Sequence, residues 1–312
     1  MLALVIGCAG QDGVYLTRQL AEKGYEVLGL DRNLVEGKGS WDAVNLSDGS
    51  ALDRLIVRAQ PAEVYYLAAF HHSSEDPPID DREDLTNSFQ TNTLGLTNLL
   101  SAIDRYSRRS RLFYAASSRI FGDPVEPVQN EETPFRPVCP YGISKVAGIH
   151  ICRYFREKRG LYTAAGIAYN HESPLRPARF VTRKVVNAAV RIRRGSAEKL
   201  TLGNLEARVD WGYAPDFTQA MWRILQLETG EDFVIGTGEL HTVGDLVEAA
   251  FFALGLDWAE HVEVKTALLQ GKAPRTTVCA DASKLRRMTG WRPSVSFREM
   301  VTLMVKAESA DR

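Results

Sequence analysis

The first thirteen residues constrain the fold of this 312-residue chain more than any other stretch. Residues 2–6 form an apolar run of the length expected for a strand that is buried on both faces. They lead directly into the turn GCAGQDG at 7–13, after which residues 14–23 carry apolar side chains at helical spacing. Strand, glycine turn and helix in this order are typical of a dinucleotide-binding fold, because glycines let the backbone approach a pyrophosphate at the positive end of the helix. The candidate cofactor-binding residues of this turn are Gly7, Gly10, Gln11, Asp12 and Gly13.

The end of the second predicted strand, residues 26–30, bears on the choice of cofactor. Asp31 stands there, where a carboxylate can accept hydrogen bonds from the adenosine ribose hydroxyls, and this favours NAD. Arg32 follows directly and could instead bind a 2′-phosphate, so NADP stays open.

Alternating strands and helices continue along the chain and predict its fold class. Strands are predicted over 62–69, 111–117, 162–170, 209–213 and 232–235, and helices over 87–106, 179–194, 217–228, 243–256 and 297–307. The alternation loosens after residue 170, although 216–238 has the pattern of one more helix and strand of the main sheet. We therefore predict an α/β protein with a Rossmann-type doubly wound parallel sheet from residues 1–168 and a segment near 214–240. A smaller, interleaved α/β substrate-binding lobe is predicted from residues 169–312.

The loop after the predicted strand 62–69 is expected to line the ligand site. Loops that follow the carboxyl ends of the strands form the crevice of a doubly wound sheet, which places Leu67, Ala68 and Ala69 near the cofactor. His71 and His72 come next and could reach a bound sugar.

Composition and charge exclude several classes of protein. A formal net charge of -1 argues against affinity based on nucleic-acid phosphates. The four cysteines lack the paired spacing of a zinc site or a disulfide scaffold, so we expect no metal and a reduced, cytoplasmic setting. No stretch is long enough to span a membrane, and the apolar start is too short for a signal-peptide core.

Tyr141 and Lys145 are the strongest candidates for chemistry. Four residues apart, they lie one turn from each other on one face of a helix. An ammonium beside a phenol favours the phenolate, so Tyr141 could accept a proton near neutral pH. Ser117 ends the predicted strand upstream, and together with the glycine turn these three residues predict a hydride-transfer site.

Longer blocks of sequence carry a family resemblance. They are the turn at 7–13 with Gln11-Asp12 inside it, and the segments NHESP at 170–174, FVTRK at 180–184, LGNL at 202–205, DWG at 210–212 and DFVIGTG at 232–238. In these blocks the chain resembles the extended short-chain dehydrogenase/reductase family, and within it the GDP-mannose 4,6-dehydratase branch. The resemblance implies NAD or NADP, a GDP-linked sugar as substrate, and a homodimer or homotetramer.

The resemblance also implies roles for individual residues. Tyr141 would remove the proton of the sugar C4 hydroxyl, Lys145 would hold the nicotinamide ribose and depress the pKa of Tyr141, and Ser117 would hydrogen-bond the sugar oxygen. The resemblance matches the block at 170–174 and the segment 181–184 to parts that bind the nucleoside diphosphate. Our candidate substrate-binding residues are His71, Ser118, Arg119, Asn170, Val181, Lys184, Leu202, Asn204 and Arg208.

Arg119 departs from the pattern of the branch. It stands where the dehydratases have a glutamate that acts at C5 to drive loss of water from C6, and a guanidinium cannot serve as that base. We therefore expect C4 oxidation without water loss, as in a 4-epimerase or a 4-oxidoreductase. One alternative is a GDP-mannose 4,6-dehydratase with another base, taken from Glu131, Glu132 or the pair His71 and His72. The other alternative is a non-catalytic nucleotide-sugar-binding subunit.

Overall fold

The computed structural model of the chain describes residues 1–31, 34–36, 44–72, 77–265 and 278–310, and Arg32 lies outside these residues. The strands are β1 Leu2–Ile6, β2 Glu26–Asp31, β3 Leu34–Glu36, β4 Glu63–Tyr66, β5 Arg111–Ser117, β6 Val128–Gln129, β7 Tyr162–Ala168, β8 Asn170–Glu172, β9 Leu200–Leu202, β10 Arg208–Tyr213, β11 Asp232–Ile235, β12 Leu240–Thr242, β13 Val262–Val264 and β14 Cys279–Ala280. The α-helices are α1 Gln11–Glu22, α2 Gly49–Ala59, α3 Asp81–Phe89, α4 Gly95–Tyr106, α5 Pro140–Arg159, α6 Val181–Arg193, α7 Ala214–Leu225, α8 Val243–Phe252, α9 Ser283–Thr289 and α10 Phe297–Ala310. None of the helices in the described ranges is both long and apolar enough to cross a bilayer.

Seven strands form the central sheet, in the order β11-β7-β5-β4-β1-β2-β3. Six of them are parallel, and β3 pairs antiparallel with β2 at the edge. The chain runs from β1 to β2 and β3 on one side and then returns to β4 on the other side of β1. This reversal brings the loops after β1 and β4 together, which is where doubly wound sheets bind ligands. The predicted Rossmann-type fold is confirmed.

Two clusters of buried apolar side chains hold the chain together. The first packs around the central sheet and includes Phe217 of α7 and Trp291, whose indole nitrogen donates to the carbonyl of Asp216. The second lies between α6, α8 and α10, with Trp211 of β10 stacked on Phe297 at 5.8 Å between ring centroids. Burial of such apolar surface is the main term that stabilises each cluster.

The chain crosses between these clusters more than once. β11 pairs in parallel with β7, so the prediction that residues 216–238 supply one more strand to the main sheet is confirmed. Residues 280–291 also join the first cluster, through Ala280, Leu285 and Trp291. The predicted division at residues 168 and 169 stays a prediction.

Two elements differ from the sequence-based predictions. The helix expected over 87–106 starts earlier and is interrupted by a π-helical turn, Gln90–Leu94, where buried tyrosine hydroxyls donate to the carbonyls of Thr91 and Asn92 and divert them from the helix ladder. The strand expected over 162–170 is split, because after β7 the chain leaves the main sheet and β8 pairs with β10.

Candidate active site

A cavity of about 530 Å³ opens at the carboxyl ends of the parallel strands. One wall is built by the turn after β1, the ends of β4 and β5 and the start of α5, and the other by residues 169–181. Predicted cofactor residues that line the cavity are Gly7, Gly10, Gln11, Asp12, Gly13, Leu67, Ala69, Tyr141 and Lys145. Predicted substrate residues that line it are His71, Arg119, Asn170 and Val181.

The glycine turn fits a dinucleotide. Gly7 has a φ of +91°, and a Cβ there would lie 2.7 Å from the backbone nitrogen of Ala68, so only glycine lets the two loops touch. A Cβ on Gly13 would overlap the carbonyl oxygen of Gly7. Gly10 caps α1 without a side-chain hydrogen bond, so the first N–H groups of the helix are open to an anion. Asp31 is held beside this turn, where its carboxylate accepts a hydrogen bond of 3.1 Å from the backbone nitrogen of Ala9.

Gln11 and Asp12 join the two walls of the cavity through their side chains. Asp12 lies 2.9 Å from Nε2 of His171, and Gln11 donates to the carbonyl of His171 and accepts from the hydroxyl of Ser173. Desolvation works against both charges, yet the attraction within the pair raises the pKa of His171 and lowers that of Asp12. His171 is also stacked on Phe217, with ring centroids 4.5 Å apart. The sequence blocks at 7–13 and 170–174 are therefore in direct contact.

Ser117, Tyr141 and Lys145 come together on the wall formed by the sheet. Ser117 ends β5, and its oxygen accepts from the backbone nitrogen of Arg119 at 3.3 Å and hydrogen-bonds Tyr141. Tyr141 lies in the first turn of α5, which is fixed by Pro140 and by Cys139 as N-cap. Lys145 follows one turn later, almost fully buried, with Nζ donating to the carbonyl of Ala115 at 2.7 Å.

Burial shifts the pKa values of Tyr141 and Lys145. Burial raises the pKa of Tyr141 to about 12, although the hydrogen bond with Ser117 acts in the opposite direction. Burial lowers the pKa of Lys145 to about 7. The amine of Lys145 donates to the carbonyl of Ala115 and lies 5.5 Å from the centroid of the Tyr141 ring, and the expectation that it depresses the pKa of Tyr141 stays a prediction.

Asn92 is a positioning residue that the sequence analysis missed. It is fully buried in the π-helical turn, and its amide both donates to and accepts from the backbone of Phe70. It also donates to the hydroxyl of Ser144 at 2.9 Å. These bonds tie the loop that carries His71 to the helix that carries Tyr141. The sequence gives no sign of this, because the interruption of the helix is caused by tertiary hydrogen bonds.

The candidate bases for elimination occupy two different places. His71 contacts Tyr141 edge to face, with ring centroids 4.7 Å apart, and His72 also lines the cavity. Glu131 and Glu132 line a separate surface depression, and Glu131 accepts from the backbone nitrogen of Val234 at 2.7 Å. Only the two histidines among these candidates therefore face the cavity.

The wall formed by residues 169–181 carries basic and aromatic side chains that the sequence analysis did not select. Arg176 lies 3.2 Å from Glu172 and covers the ring of Phe180 at 3.6 Å, and Arg179 lines the cavity nearby. The sequence does contain a signal for this wall, since Arg176 and Arg179 flank Pro177 between a strand and a helix. They are suited to a diphosphate, because guanidinium groups bind phosphate oxygens in pairs.

Several predicted residues lie outside the lining of this cavity. Ala68 packs against Gly7, and Ser118 is buried as the first residue of the 3-10 turn Ser118–Ile120. Leu202 is buried in the second apolar cluster, where its side chain serves packing. Lys184, Asn204 and Arg208 are exposed elsewhere on the surface. The assignment of Ala68 to the cofactor site, and of the other five residues to the substrate site, stays a prediction.

Comparison with known proteins agrees with the fold and shows the family of the chain. The sequence model of the family described as GDP-mannose 4,6 dehydratase matches residues 4–304. GDP-mannose 4,6 dehydratase 1 of Arabidopsis thaliana is 39% identical over 326 residues, which cover 97% of this chain and 88% of that protein. The human GDP-mannose 4,6 dehydratase is 34% identical over 344 residues, covering 98% and 91%. The solved structure of UDP-glucose 4-epimerase from Thermus thermophilus, in complex with NAD, has a TM-score of 0.83 and 26% identity and covers 100% of both chains.

The fold, the serine, tyrosine and lysine set and these matches define an enzyme of the extended short-chain dehydrogenase/reductase type. Enzymes of this class modify nucleotide-sugars with NAD or NADP. Within that class, the chain belongs to the GDP-mannose 4,6-dehydratase family.

Proposed function

We propose that this enzyme oxidises C4 of a GDP-linked sugar. The proposal rests on one observation, the meeting of Ser117, Tyr141 and Lys145 on the cavity wall beside the glycine turn. Tyr141 takes the proton of the C4 hydroxyl, and Ser117 hydrogen-bonds both that oxygen and the phenol. The arginines at 176 and 179 hold the diphosphate of the nucleotide.

We further propose NAD as the cofactor, ahead of NADP. The carboxylate of Asp31 is fixed beside the turn by Ala9, where it would repel a 2′-phosphate and accept hydrogen bonds from ribose hydroxyls. When bound, the oxidised nicotinamide accepts a hydride and adds a positive charge to the site. Such a charge would act in the same direction as the hydrogen bond with Ser117, which lowers the pKa of Tyr141. The bound cofactor, released by denaturation and identified by mass, tests this choice.

The names of the relatives favour 4,6-dehydration over the epimerisation that the sequence analysis put first. If the enzyme is a dehydratase, His71 is our candidate for the base at C5, because it lies against Tyr141 in the cavity and an imidazole can accept a proton at neutral pH. His71→Asn would then abolish water loss and leave C4 oxidation in place. C4 oxidation without water loss is the second candidate, and one specific observation favours it: Arg119 lines the cavity at the glutamate position.

Mass spectrometry of the product separates these candidates. The parent enzyme and a Tyr141→Phe variant are incubated with GDP-mannose in deuterated water. A sugar lighter by one water with deuterium incorporated identifies the dehydratase. An isomer of unchanged mass, or a loss of two hydrogens matched by cofactor reduction, identifies the second candidate. No change with any GDP-sugar, in the parent as in Tyr141→Phe, would contradict the proposed C4 oxidation.

We also propose a homodimer and a cytoplasmic location. Large apolar side chains are exposed on neighbouring helices: Leu85 on α3 at 37%, Leu94 in the π-helical turn at 53%, and Ile143 and Tyr154 on α5 at 40% and 54%. Such side chains are typical of an interface. Light scattering of the enzyme and of a Leu94→Asp, Ile143→Asp variant tests this, and a parent that is monomeric at micromolar concentration would contradict it. The location rests on the four free cysteines, which suit a reducing compartment.

A further inference from the structure

Arg119 is fixed at the end of the cavity where the sugar reacts. It follows Ser117 by two residues, and its backbone nitrogen donates to the oxygen of Ser117. Its carbonyl packs against the first turn of α5, since a Cβ on Gly142 would lie 2.6 Å from the oxygen of Arg119. Arg119 lines the cavity together with Ser117 and Tyr141. The backbone of Arg119 is therefore held beside the group proposed to touch the C4 oxygen.

The charge of Arg119 is not neutralised by an acidic side chain in the part of the chain that the structure describes. Other partly buried arginines have partners there: Arg176 pairs with Glu172, Arg153 and Arg156 pair with Asp232, and Arg183 pairs with Glu308. Arg111, Arg223 and Arg286 donate to backbone carbonyls instead. Arg119 is partly buried and remains protonated at every physiological pH. A partly desolvated cation whose side chain has no hydrogen-bond partner is costly unless a ligand supplies one.

We propose that Arg119 binds a carboxylate at C6 of the sugar, so that the substrate is a GDP-linked hexuronate. This inference rests on the proposed C4 oxidation and, within it, on the candidate without water loss. C6 lies two bonds from C4, so a residue two positions after the one that binds the C4 oxygen can meet a substituent at C6. The planar guanidinium matches a carboxylate with two parallel hydrogen bonds.

The chemistry of a hexuronate is compatible with an arginine at position 119. Its C6 is a carboxylate and has no hydroxyl that can leave, so water cannot be eliminated across C5 and C6 and no base is needed at C5. Oxidation at C4 remains possible. The C4 hydrogen leaves with its electron pair, which reduces the cofactor, the hydroxyl proton passes to Tyr141, and the carboxylate is unchanged. A cation at position 119 serves such a substrate, whereas a glutamate there would repel it.

Arg176 and Arg179 are assigned differently. Arg176 already pairs with Glu172 and stacks on Phe180, and Arg179 is exposed at the rim, 5.2 Å from the same ring. Both lie on the wall formed by residues 169–181, across from Ser117. They suit the diphosphate, which every GDP-sugar carries, and leave Arg119 to discriminate between sugars.

Binding measurements test the inference without turnover. Calorimetry with Tyr141→Phe, which leaves the ligands intact, compares GDP-mannuronate, GDP-mannose and GDP. We expect GDP-mannuronate to bind about 10- to 100-fold more tightly than GDP-mannose, as a charge-assisted bidentate pair allows. Adding Arg119→Gln should abolish that preference without affecting GDP, and Arg119→Lys should restore part of it. The matched control, Arg179→Gln, should weaken all three ligands by a similar factor.

Two results would overturn the inference. One is tighter or equal binding of GDP-mannose by the protein that retains Arg119. The other is an Arg119→Gln variant that loses affinity for GDP as much as for GDP-mannuronate, which would assign Arg119 to the phosphates. Absorbance of the reduced cofactor in a single turnover of the parent enzyme is measured in parallel. If GDP-mannuronate binds more tightly but neither sugar is oxidised, the proposed function is contradicted and this inference is not. If GDP-mannose is oxidised and GDP-mannuronate does not bind more tightly, only this inference is contradicted.

Discussion

The two walls of the cavity differ in what holds them. The wall formed by the sheet consists of glycine backbone, the ends of buried strands and a buried lysine, and its functional groups bond mainly to backbone atoms. The wall formed by residues 169–181 consists of charged and aromatic side chains that bond to one another. The first wall is thus suited to a step that every substrate shares, and the second to the recognition of a particular ligand. The backbone of Arg119 is part of the wall formed by the sheet, whereas its charge is like that of the arginines on the wall formed by residues 169–181.

The largest expected effect is on the chemical step. Tyr141→Phe removes the proton acceptor, so kcat should fall by about 10²- to 10⁴-fold, the usual contribution of a positioned acid or base. The affinity for GDP-sugar should change little, because the opposite wall is untouched. Steady-state kinetics and calorimetry measure the two effects. Tyr106→Phe, an exposed tyrosine outside the cavity, is the control. If the affinity for GDP-sugar falls by the same factor as kcat, the two walls do not have separate roles in catalysis and binding.

Gly7→Ala should damage the wall formed by the sheet through its backbone. The alanine would be strained at a φ of +91° and would press on the nitrogen of Ala68, which should cost more than about 2 kcal/mol of the free energy of unfolding. Gly24→Ala is the matched control, because Gly24 has a φ of +82° with nothing within 4 Å of the added carbon. Chemical denaturation should show a clearly larger loss for Gly7→Ala. Equal losses would mean that backbone conformation alone, and not the close approach of the loops, requires glycine.

Asn92→Ala should affect catalysis from outside the cavity. It leaves the N–H and carbonyl of Phe70 without their side-chain partner and removes one of the two hydrogen bonds of the Ser144 hydroxyl, at a cost of about 1 to 3 kcal/mol in stability. Because the loop with His71 loosens from α5, kcat should fall more than KM rises. Asn98→Ala, which removes a single bond to the carbonyl of Leu46, is the control. A variant with reduced stability and parental kinetics would make Asn92 purely structural.

The smallest expected effect is the pH dependence of the contact between the walls. The pKa of His171 is raised in the folded state, so its contribution is complete below about pH 6.5 and is lost as the pH rises through the folded pKa. The pKa of Asp12 is lowered, so its contribution is present above about pH 4 and is lost as the pH falls through the folded pKa. The difference in unfolding free energy between the parent and Asp12→Asn should therefore be greatest near pH 4 to 6.5 and on the order of 1 kcal/mol. A difference that stays constant from pH 4 to 9 would contradict the ion pair.

Sequence patterns predicted what depends on local order and missed what depends on tertiary contact. The opening strand, the glycine turn, β5 and the tyrosine-lysine pair follow from periodicity and spacing, and the structure confirms the fold they imply. The π-helical turn, the clamp by Asn92 and the lowered pKa of Lys145 arise from burial against distant residues. The stacking of Arg176 on Phe180 was missed because a cation stacked on a ring has no fixed spacing in sequence.

Transfer of the C4 hydrogen is the most direct test of the central claim. GDP-mannose and GDP-mannuronate labelled with deuterium at C4 are mixed in turn with excess enzyme and quenched within one turnover, and the cofactor is analysed by mass spectrometry. We predict reduced cofactor that carries the deuterium for at least one of these sugars, and none with Tyr141→Phe. A sugar that keeps its deuterium throughout, beside a cofactor that is never reduced, would contradict C4 oxidation by this enzyme.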